Sequence, residues 1–155
     1  MTKKIGAIAG RLGTTVRTLR FYEEQGLVRP RRTPGGTRIY DEEDEARFAA
    51  CLALARLGFP LERLVELAGV RGSSRTGDEA SRKVSGQLHS MDAELSARAR
   101  AIEQQRADIR RASKFLRGCH GCQRPPTRAV CDECEHGASR EGISIMRIVW
   151  DEFER

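Results

Sequence analysis

Four cysteines in the last third of the chain are the residues whose type and spacing most directly suggest chemistry. They follow the pattern Cys-x2-Cys-x8-Cys-x2-Cys and are Cys119, Cys122, Cys131 and Cys134. Four thiolates at such spacing can surround one tetrahedral metal ion or an iron–sulfur cluster. The pattern therefore predicts a four-cysteine metal site, with zinc favoured and an iron–sulfur cluster as the alternative.

The chemistry of the ligands does not choose among the functions of this site. Zinc, iron–sulfur clusters and other soft ions all accept four thiolates, and a thiol switch without metal is a further possibility. A pair of disulfides is the main structural alternative. The chain starts without the apolar stretch of a secretory signal, which predicts a cytoplasmic location where thiols stay reduced. The fifth cysteine, Cys51, lies on an apolar helical face and is interpreted as a core thiol.

Positive charge is concentrated in the first 40 residues. This segment has nine basic and two acidic side chains, a net charge of +7, whereas the whole chain carries +6. A positive field confined to one short segment predicts a polyanionic partner, and an ordinary solvated basic surface is the simpler interpretation. The basic residues are Lys3, Lys4, Arg11, Arg17, Arg20, Arg29, Arg31, Arg32 and Arg38.

The same segment contains the pattern of two short helices around a tight turn. Apolar residues recur at helical spacing over residues 4–25, and Thr14 or Thr15 can cap the second helix. On that helix Arg17 and Arg20 project away from the apolar side. A capped helix with outward arginines can enter a major groove, where the guanidinium fork suits guanine or phosphate.

A small hairpin is predicted after these helices. Residues 27–30 and 37–40 form two short extended runs joined by Pro34-Gly35-Gly36. A hairpin this short needs support from a neighbouring element, which the two helices supply if it lies beside them as a wing. Its arginines can follow the backbone of flanking DNA and are Arg29, Arg31, Arg32 and Arg38.

The middle of the chain predicts three more helices. The first begins at the N-cap Asp41, and a second begins near Pro60. A linker rich in Gly, Ser and Arg is predicted over residues 71–77. The longest helix is predicted over residues 78–117, where apolar and small residues repeat in sevens. A narrow apolar stripe on one long helix needs a partner, so we expect a homodimer in preference to a helix folded back on its own head.

The last segment, residues 118–155, combines the cysteines with a short apolar tail. The apolar residues of the tail recur at helical or strand-like spacing, which predicts that they pack within the structure and do not bind a cofactor. They are Ile145, Met146, Val149, Trp150 and Phe153. No run of about 18 apolar residues occurs, so we expect no membrane span. No βαβ context accompanies the Cys-x2-Cys pairs and no catalytic triad or paired carboxylates stand out, so we expect a protein that is not an enzyme.

The first 60 residues resemble the head of the MerR family of regulators. The most specific part is Thr18-Leu19-Arg20-Phe21-Tyr22-Glu23 followed by Gly26-Leu27, and the wing is similar at Arg31-Arg32 and Arg38-Ile39-Tyr40. The resemblance implies that the protein binds promoter DNA as a homodimer. The DNA contacts it implies, together with those expected from the helix itself, are Thr14, Thr15, Arg17, Thr18, Arg20, Tyr22, Arg31, Arg32, Arg38 and Tyr40.

The resemblance also implies a mechanism. Dimers of this family bend and untwist a promoter whose two elements are too far apart, so that RNA polymerase is affected indirectly through the DNA. The SoxR subtype is similar at Gly118-Cys119 and Gly121-Cys122, but it has a third cysteine where this chain has Arg124. The metal-sensing subtypes have a cysteine at the start of the long helix, where this chain has Thr76-Gly77-Asp78.

These features predict a mainly α fold in four parts. A winged helix-turn-helix domain occupies residues 1–70, followed by the linker, the dimerisation helix, which forms an antiparallel coiled coil across the dimer, and the cysteine-rich segment. The predicted function is a DNA-binding regulator that responds to a metal or redox signal at the four cysteines. The alternatives are an iron–sulfur redox sensor and a DNA-binding architectural protein with a purely structural zinc.

Overall fold

The computed structural model describes residues 3–140 and 142–150 of the chain. These residues form helices and one small sheet, as the mainly α prediction required. The chain divides into two compact units, Met1–Asp92 and Ala93–Arg155. No helix within the described ranges has the length and apolar character that a bilayer crossing needs.

The first unit begins with the two predicted short helices. Helix α1 spans Ile5–Arg11 and α2 spans Val16–Glu24. The turn between them uses Gly13 at φ +59°, a left-handed conformation that costs glycine little. Burial of large apolar side chains from both helices and from the elements that follow forms the core of this unit. Its members include Ile8, Leu19, Tyr22, Leu27, Val28, Tyr40, Phe48, Leu52, Phe59 and Leu64.

The hairpin is present, but its first strand starts later than predicted. Strand β1 is Arg31–Arg32 and pairs antiparallel with β2, Arg38–Ile39. Residues 27–30 are not a strand, because Leu27 and Val28 are buried in the core and the Leu27 amide donates to the Tyr22 carbonyl just past α2. The apolar pair that suggested a strand instead joins α2 to the hairpin.

Two helices follow the hairpin. Helix α3, Glu42–Arg56, begins with a capping box in which Asp41 and Asp44 each accept a hydrogen bond from the other's backbone amide. Helix α4, Leu61–Ser73, begins after Pro60 as predicted. It continues through Gly72, which lies in the predicted linker, so only residues 74–76 separate it from the next helix. The predicted linker over residues 71–77 is therefore shorter than expected.

The predicted long helix is present as α5, Gly77–Arg117, with 41 residues. Three of its apolar stripe positions remain largely open in the single chain. Leu88, Ile102 and Ile109 are 50%, 61% and 49% exposed. An exposed stripe of this kind is the reason for expecting a partner helix, and the antiparallel coiled coil stays a prediction.

The second unit adds three short helices to the end of α5. They are α6, Arg128–Asp132, α7, Glu135–Ala138, and α8, Met146–Trp150. The tail is helical rather than extended, and Met146 is buried in a cluster with Ala112 and Phe115 of α5. By contrast, Ile148 and Val149 are 72% and 59% exposed, which the prediction of a packed tail did not anticipate. Phe153 lies outside the described residues.

Candidate nucleic-acid interface and cysteine segment

Helix α2 presents a basic face to solvent. Arg17 and Arg20 are exposed, and within residues 3–140 and 142–150 neither has a hydrogen-bond or ion-pair partner. Leu19, on the opposite side of the helix, is 0% exposed. The core thus fixes the helix, while both guanidinium groups remain available to an anionic partner.

Three threonines surround the start of α2. The Thr15 hydroxyl accepts a hydrogen bond from the Thr18 amide at 3.1 Å and contacts the Thr18 hydroxyl at 2.9 Å. This is the N-cap predicted from the sequence. Thr14 and Thr18 are half-buried. The cap leaves the first turn of the helix rigid at the end where its positive dipole would favour a phosphate.

The hairpin is held beside α2 by Glu23. One carboxylate oxygen accepts a hydrogen bond from the Arg38 guanidinium, and the other accepts one from the Tyr40 hydroxyl at 2.9 Å. Tyr40 is almost completely buried, and burial together with the Glu23 carboxylate raises the pKa of its hydroxyl. Glu23 was not among the predicted site residues, although it is one of only two acids in a strongly basic segment.

Arg31 and Arg32 of the hairpin are exposed, and each has one weak polar contact. Arg31 forms an ion pair with Asp41 at 3.2 Å, and Arg32 donates to the Gly36 carbonyl at 3.0 Å. An exposed pair at this distance is weak in water. Both guanidinium groups can therefore exchange these contacts for phosphate oxygens at little cost.

The two neighbouring aromatic residues of α2 differ in burial. Phe21 is 49% exposed, whereas Tyr22, a predicted DNA contact, is 6% exposed. Burial raises the pKa of the Tyr22 hydroxyl. Helical geometry explains the difference, because Phe21 follows Arg17 by four residues and shares its face, whereas Tyr22 follows Leu19 by three. The predicted DNA contact of Tyr22 is thus left with little exposed surface.

Two polar contacts between distant parts of the chain support this surface and were missed by sequence reasoning. Glu45 of α3 accepts hydrogen bonds from Lys3 at 2.6 Å and from Arg11 at 2.6 and 3.0 Å. These partners lower the pKa of Glu45 to about 2. Arg56 donates to the carbonyls of Leu12 and Gly13 at the end of α1. Part of the basic charge in the first 40 residues is therefore used to hold the head together.

The four cysteines of the second unit are free thiols in different environments. Cys119, Cys131 and Cys134 are half-buried and Cys122 is exposed. Burial raises the pKa of Cys119, and the charges of the other three thiols raise it further. Backbone amides of Gly137 and His136 lower the pKa of Cys134. Cys119 and Cys134 are therefore shifted in opposite directions, and the lowered pKa of Cys134 favours its thiolate form.

The donor chemistry fits a soft metal, but the described residues do not form a closed ligand set. Nowhere in the described ranges do three or more His, Cys, Asp or Glu side chains come together as a metal site requires. Two like-charged thiolates repel, and a bound cation would remove the repulsion that raises the pKa of Cys119. The four-cysteine metal site consequently stays a prediction.

His136 joins the second cysteine pair to α5. The His136 ring stacks on Phe115 with 4.6 Å between ring centroids, and its Nε2 lies 2.9 Å from the Phe115 carbonyl oxygen. Glycine is required on both sides of this contact. A Cβ at Gly118 would overlap the His136 ring, and one at Gly137 would overlap the Cys131 carbonyl oxygen. A contact that draws on such close backbone approach could not be anticipated from spacing alone.

Comparison with known proteins agrees with this geometry. Residues 3–68 match the family described as MerR HTH family regulatory protein. The chain is 38% identical over 82 residues to an HTH-type transcriptional regulator ZntR homolog of Haemophilus influenzae, a match that spans 52% of this chain and only 61% of the relative. It is 31% identical over 122 residues to the HTH-type transcriptional regulator slr0701 of Synechocystis, which covers 77% of this chain and 82% of the relative.

A solved structure shares the fold at lower identity. HiNmlR, a MerR family regulator lacking the sensor domain and bound to promoter DNA, superimposes with a TM-score of 0.61 and 19% identity over 79% of this chain and 95% of its own. The family match covers α1, α2, the hairpin and α3, and the Synechocystis match extends over most of both chains. The capped α2, the hairpin held by Glu23 and these matches together show that the chain belongs to the MerR family of helix-turn-helix regulatory proteins.

Proposed function

We propose that the protein is a dimeric transcription regulator whose α2 enters the major groove of promoter DNA. The observation that carries this proposal is that Arg17 and Arg20, on a helix fixed by the core, are exposed and have no hydrogen-bond or ion-pair partner among the described residues. An arginine fork in the major groove suits the O6 and N7 acceptors of guanine, and it suits phosphate equally well. The capped start of α2 supplies further donors to a phosphate.

The hairpin follows the DNA backbone next to the groove in this proposal. Arg31 and Arg32 are exposed and bind phosphate, which positions the protein without reading sequence. Arg38 and Tyr40 hold the hairpin against α2 through Glu23, and Arg38 keeps further N–H groups for phosphate. Thr14, Thr15 and Thr18 line the start of α2.

Dimerisation through the exposed stripe of α5 is the second part of the proposal. Two heads joined by an antiparallel pair of long helices would bind the two halves of a near-palindrome. A change in the spacing of the heads would then bend and untwist the DNA between promoter elements, and RNA polymerase would respond to the DNA rather than to the protein. Binding of promoter DNA by the structural relative HiNmlR supports this assignment.

The third part concerns the signal. We propose that the protein acts in the cytoplasm and detects the signal at its four cysteines. Cys119, Cys122, Cys131 and Cys134 would hold one soft ion, with zinc favoured over an iron–sulfur cluster. A bound ion supplies positive charge that brings four thiolates together. The residues of the chain itself contribute the amides that stabilise the Cys134 thiolate and the contact of His136 with the end of α5.

The DNA-binding part is tested with duplexes enriched by the full-length protein from a random library. Arg20→Ala is compared with Arg82→Ala, which removes the same charge from α5, where Arg82 pairs with Asp78 at 2.9 Å. We expect Arg20→Ala to weaken binding about ten- to hundredfold and Arg82→Ala to match the wild type in fluorescence anisotropy at fixed salt. Equal affinity of the wild type for selected and random duplexes would instead favour an architectural protein.

The sensing part is tested by metal analysis and a visible spectrum of anaerobically purified protein. A colourless protein with one zinc per chain, lost in a Cys122→Ser/Cys131→Ser variant, supports the zinc assignment. Visible absorption that disappears with the same substitutions supports the iron–sulfur alternative. An unchanged DNA response after removal of the metal would show that the metal only stabilises the segment.

A further inference from the structure

Asp108 of α5 is a buried carboxylate that neither DNA binding nor the cysteine ligands explain. It is 4% exposed and is the only charged residue in the described part of the chain to be buried. Burial of an ionised group is costly unless its lone pairs are satisfied. Asp108 therefore needs partners, and their position in the chain indicates what the residue does.

The partners come mainly from the segment that follows the cysteines. One Asp108 carboxylate oxygen accepts hydrogen bonds from the Ser144 hydroxyl at 2.6 Å and from the Ile145 amide at 2.9 Å. The other oxygen accepts one from Arg111, one turn further along α5, at 2.8 Å. The Ser144 and Ile145 bonds, followed by Arg111, hold the pKa of Asp108 below its ordinary value. A single carboxylate thus binds both a side chain and the backbone of the returning segment.

The first cysteine belongs to the same packed region. Ala112, Phe115 and Met146 form a buried cluster, against which Cys119 and Ile145 pack. Asp108, Ala112 and Phe115 are spaced four and three residues apart, so they lie on one face of α5. The segment bound by Asp108 therefore covers the face on which the Cys119 thiol rests.

We propose that Asp108 is the positioning residue of the cysteine segment, anchoring residues 143–146 to α5 so that Cys119 is held in place for its ligand. This inference rests on the proposed sensing function. It identifies Asp108 as the residue through which a change at the cysteines would reach α5. Because coupling between two states is reciprocal, an anchor that fixes Cys119 also makes α5 sense any displacement of Cys119. The ligand-bound and ligand-free segments then act on α5 through one carboxylate and one apolar cluster.

The anchor is tested first in the reduced, metal-free, full-length protein. Hydrogen exchange of the Ile145 amide and the rate of alkylation of Cys119 are measured by mass spectrometry. We expect Asp108→Ala to accelerate both about ten- to hundredfold, because each process requires release of hydrogen bonds to a charged group. Asp108→Asn keeps an oxygen acceptor and is expected to lie between Asp108→Ala and the wild type.

Glu103→Gln is the matched control. Glu103 lies on the same helix and pairs with Arg106 and Arg110 at 2.9 and 2.8 Å, but among the described residues it has no hydrogen bond or ion pair with residues 143–146. This variant removes the same charge and should exchange and react like the wild type. If Asp108→Asn, the milder variant, remains folded by circular dichroism and both Asp108 variants match the wild type, the anchor does not exist.

Zinc affinity then separates a positioning role from a merely structural one. In competition with a chelator, we expect Asp108→Ala to bind zinc about tenfold more weakly, as for loss of a residue that orients a metal ligand. Asp108→Asn should bind zinc with an affinity between those of Asp108→Ala and the wild type. Glu103→Gln should keep the affinity of the wild type. Faster exchange with unchanged zinc affinity would overturn the positioning role. Absence of zinc binding by the wild type would overturn the zinc assignment, and the exchange rates would still decide whether the anchor exists.

Discussion

The helix-turn-helix surface and the cysteine segment differ in what holds their functional groups. Behind Arg17 and Arg20, side chains such as Leu19 and Phe48 are fully buried. The cysteine segment, residues 119–134, has only the short α6 inside it and leaves nearly every residue exposed or half-buried. The residues that follow this segment attach it to α5 through the contacts of His136 and Asp108 and through the small apolar cluster around Met146. A surface supported by a large core keeps its shape before a ligand arrives, whereas a segment held by a few contacts can change with its ligand.

The largest effect should come from removal of the core behind α2. Phe48 is 0% exposed and contacts the Tyr40 ring at 5.9 Å between centroids. We expect Phe48→Ala to lower the free energy of unfolding of the first unit by about 3–5 kcal/mol, because it leaves a cavity. Urea unfolding followed by circular dichroism measures this loss.

Phe21→Ala is the control for this prediction, since the ring that it removes is half-exposed on the same unit. Its effect on stability should stay within about 0.5 kcal/mol. Equal losses from the two substitutions would show that the core does not support α2 in the way described.

An intermediate effect is expected where the cysteine segment approaches itself closely. A Cβ at Gly137 would overlap the Cys131 carbonyl oxygen, whereas one at Gly86 of α5 would meet no atom within 4 Å. We expect Gly137→Ala to cost about 1–3 kcal/mol and to raise thiol reactivity in the cysteine segment without changing DNA affinity. Gly86→Ala should instead stabilise the protein by about 0.5–1 kcal/mol through helix propensity. Unchanged thiol reactivity in Gly137→Ala would indicate that the segment is less closely packed than described.

Removal of the N-cap of α2 should have the next smaller effect on stability. Thr15→Ala removes the acceptor for the Thr18 amide and should cost about 1 kcal/mol in thermal or urea unfolding. Thr14→Ala is the control, because the Thr14 side chain caps no helix. If the two substitutions cost the same, the cap contributes nothing to the stability of α2.

The same comparison explains which features were accessible from the sequence. Helices α2 and α3 were predicted because their caps at Thr15 and Asp41 are local, and α5 was predicted because its apolar repeat is local. The first strand was misplaced because an apolar pair such as Leu27 and Val28 is equally typical of a strand and of a buried connection between elements. The contacts of Glu23, Glu45 and Asp108 join residues 15 to 42 positions apart, and a single sequence carries no signal for such pairs.

The four cysteines show the same limit of prediction from sequence. Their spacing identifies the donor atoms, but the arrangement of those atoms depends on the contact of His136 with Phe115 and on residues far along the chain. Donor type is a property of each residue, whereas closure of a ligand set depends on the packing of all of them. The residue types that could serve as ligands were therefore open to prediction, whereas the arrangement of their side chains was not.

The smallest effect is expected from acid, and it should appear in the first unit. Glu45 has its pKa lowered to about 2 by Arg11 and Lys3, so its folded-state pKa is below the unfolded value of about 4.3. A group with a lowered pKa stabilises the fold above its unfolded pKa, and this contribution is lost as pH falls from about 4.3 towards 2. Glu45→Gln should reduce the pH dependence in that window and lower the stability at pH 7. Asp78→Asn, on an exposed ion pair with Arg82, should leave the acid profile of unfolding unchanged. An acid profile of Glu45→Gln that matches the wild type would mean that the contact of α1 with α3 does not depend on this carboxylate.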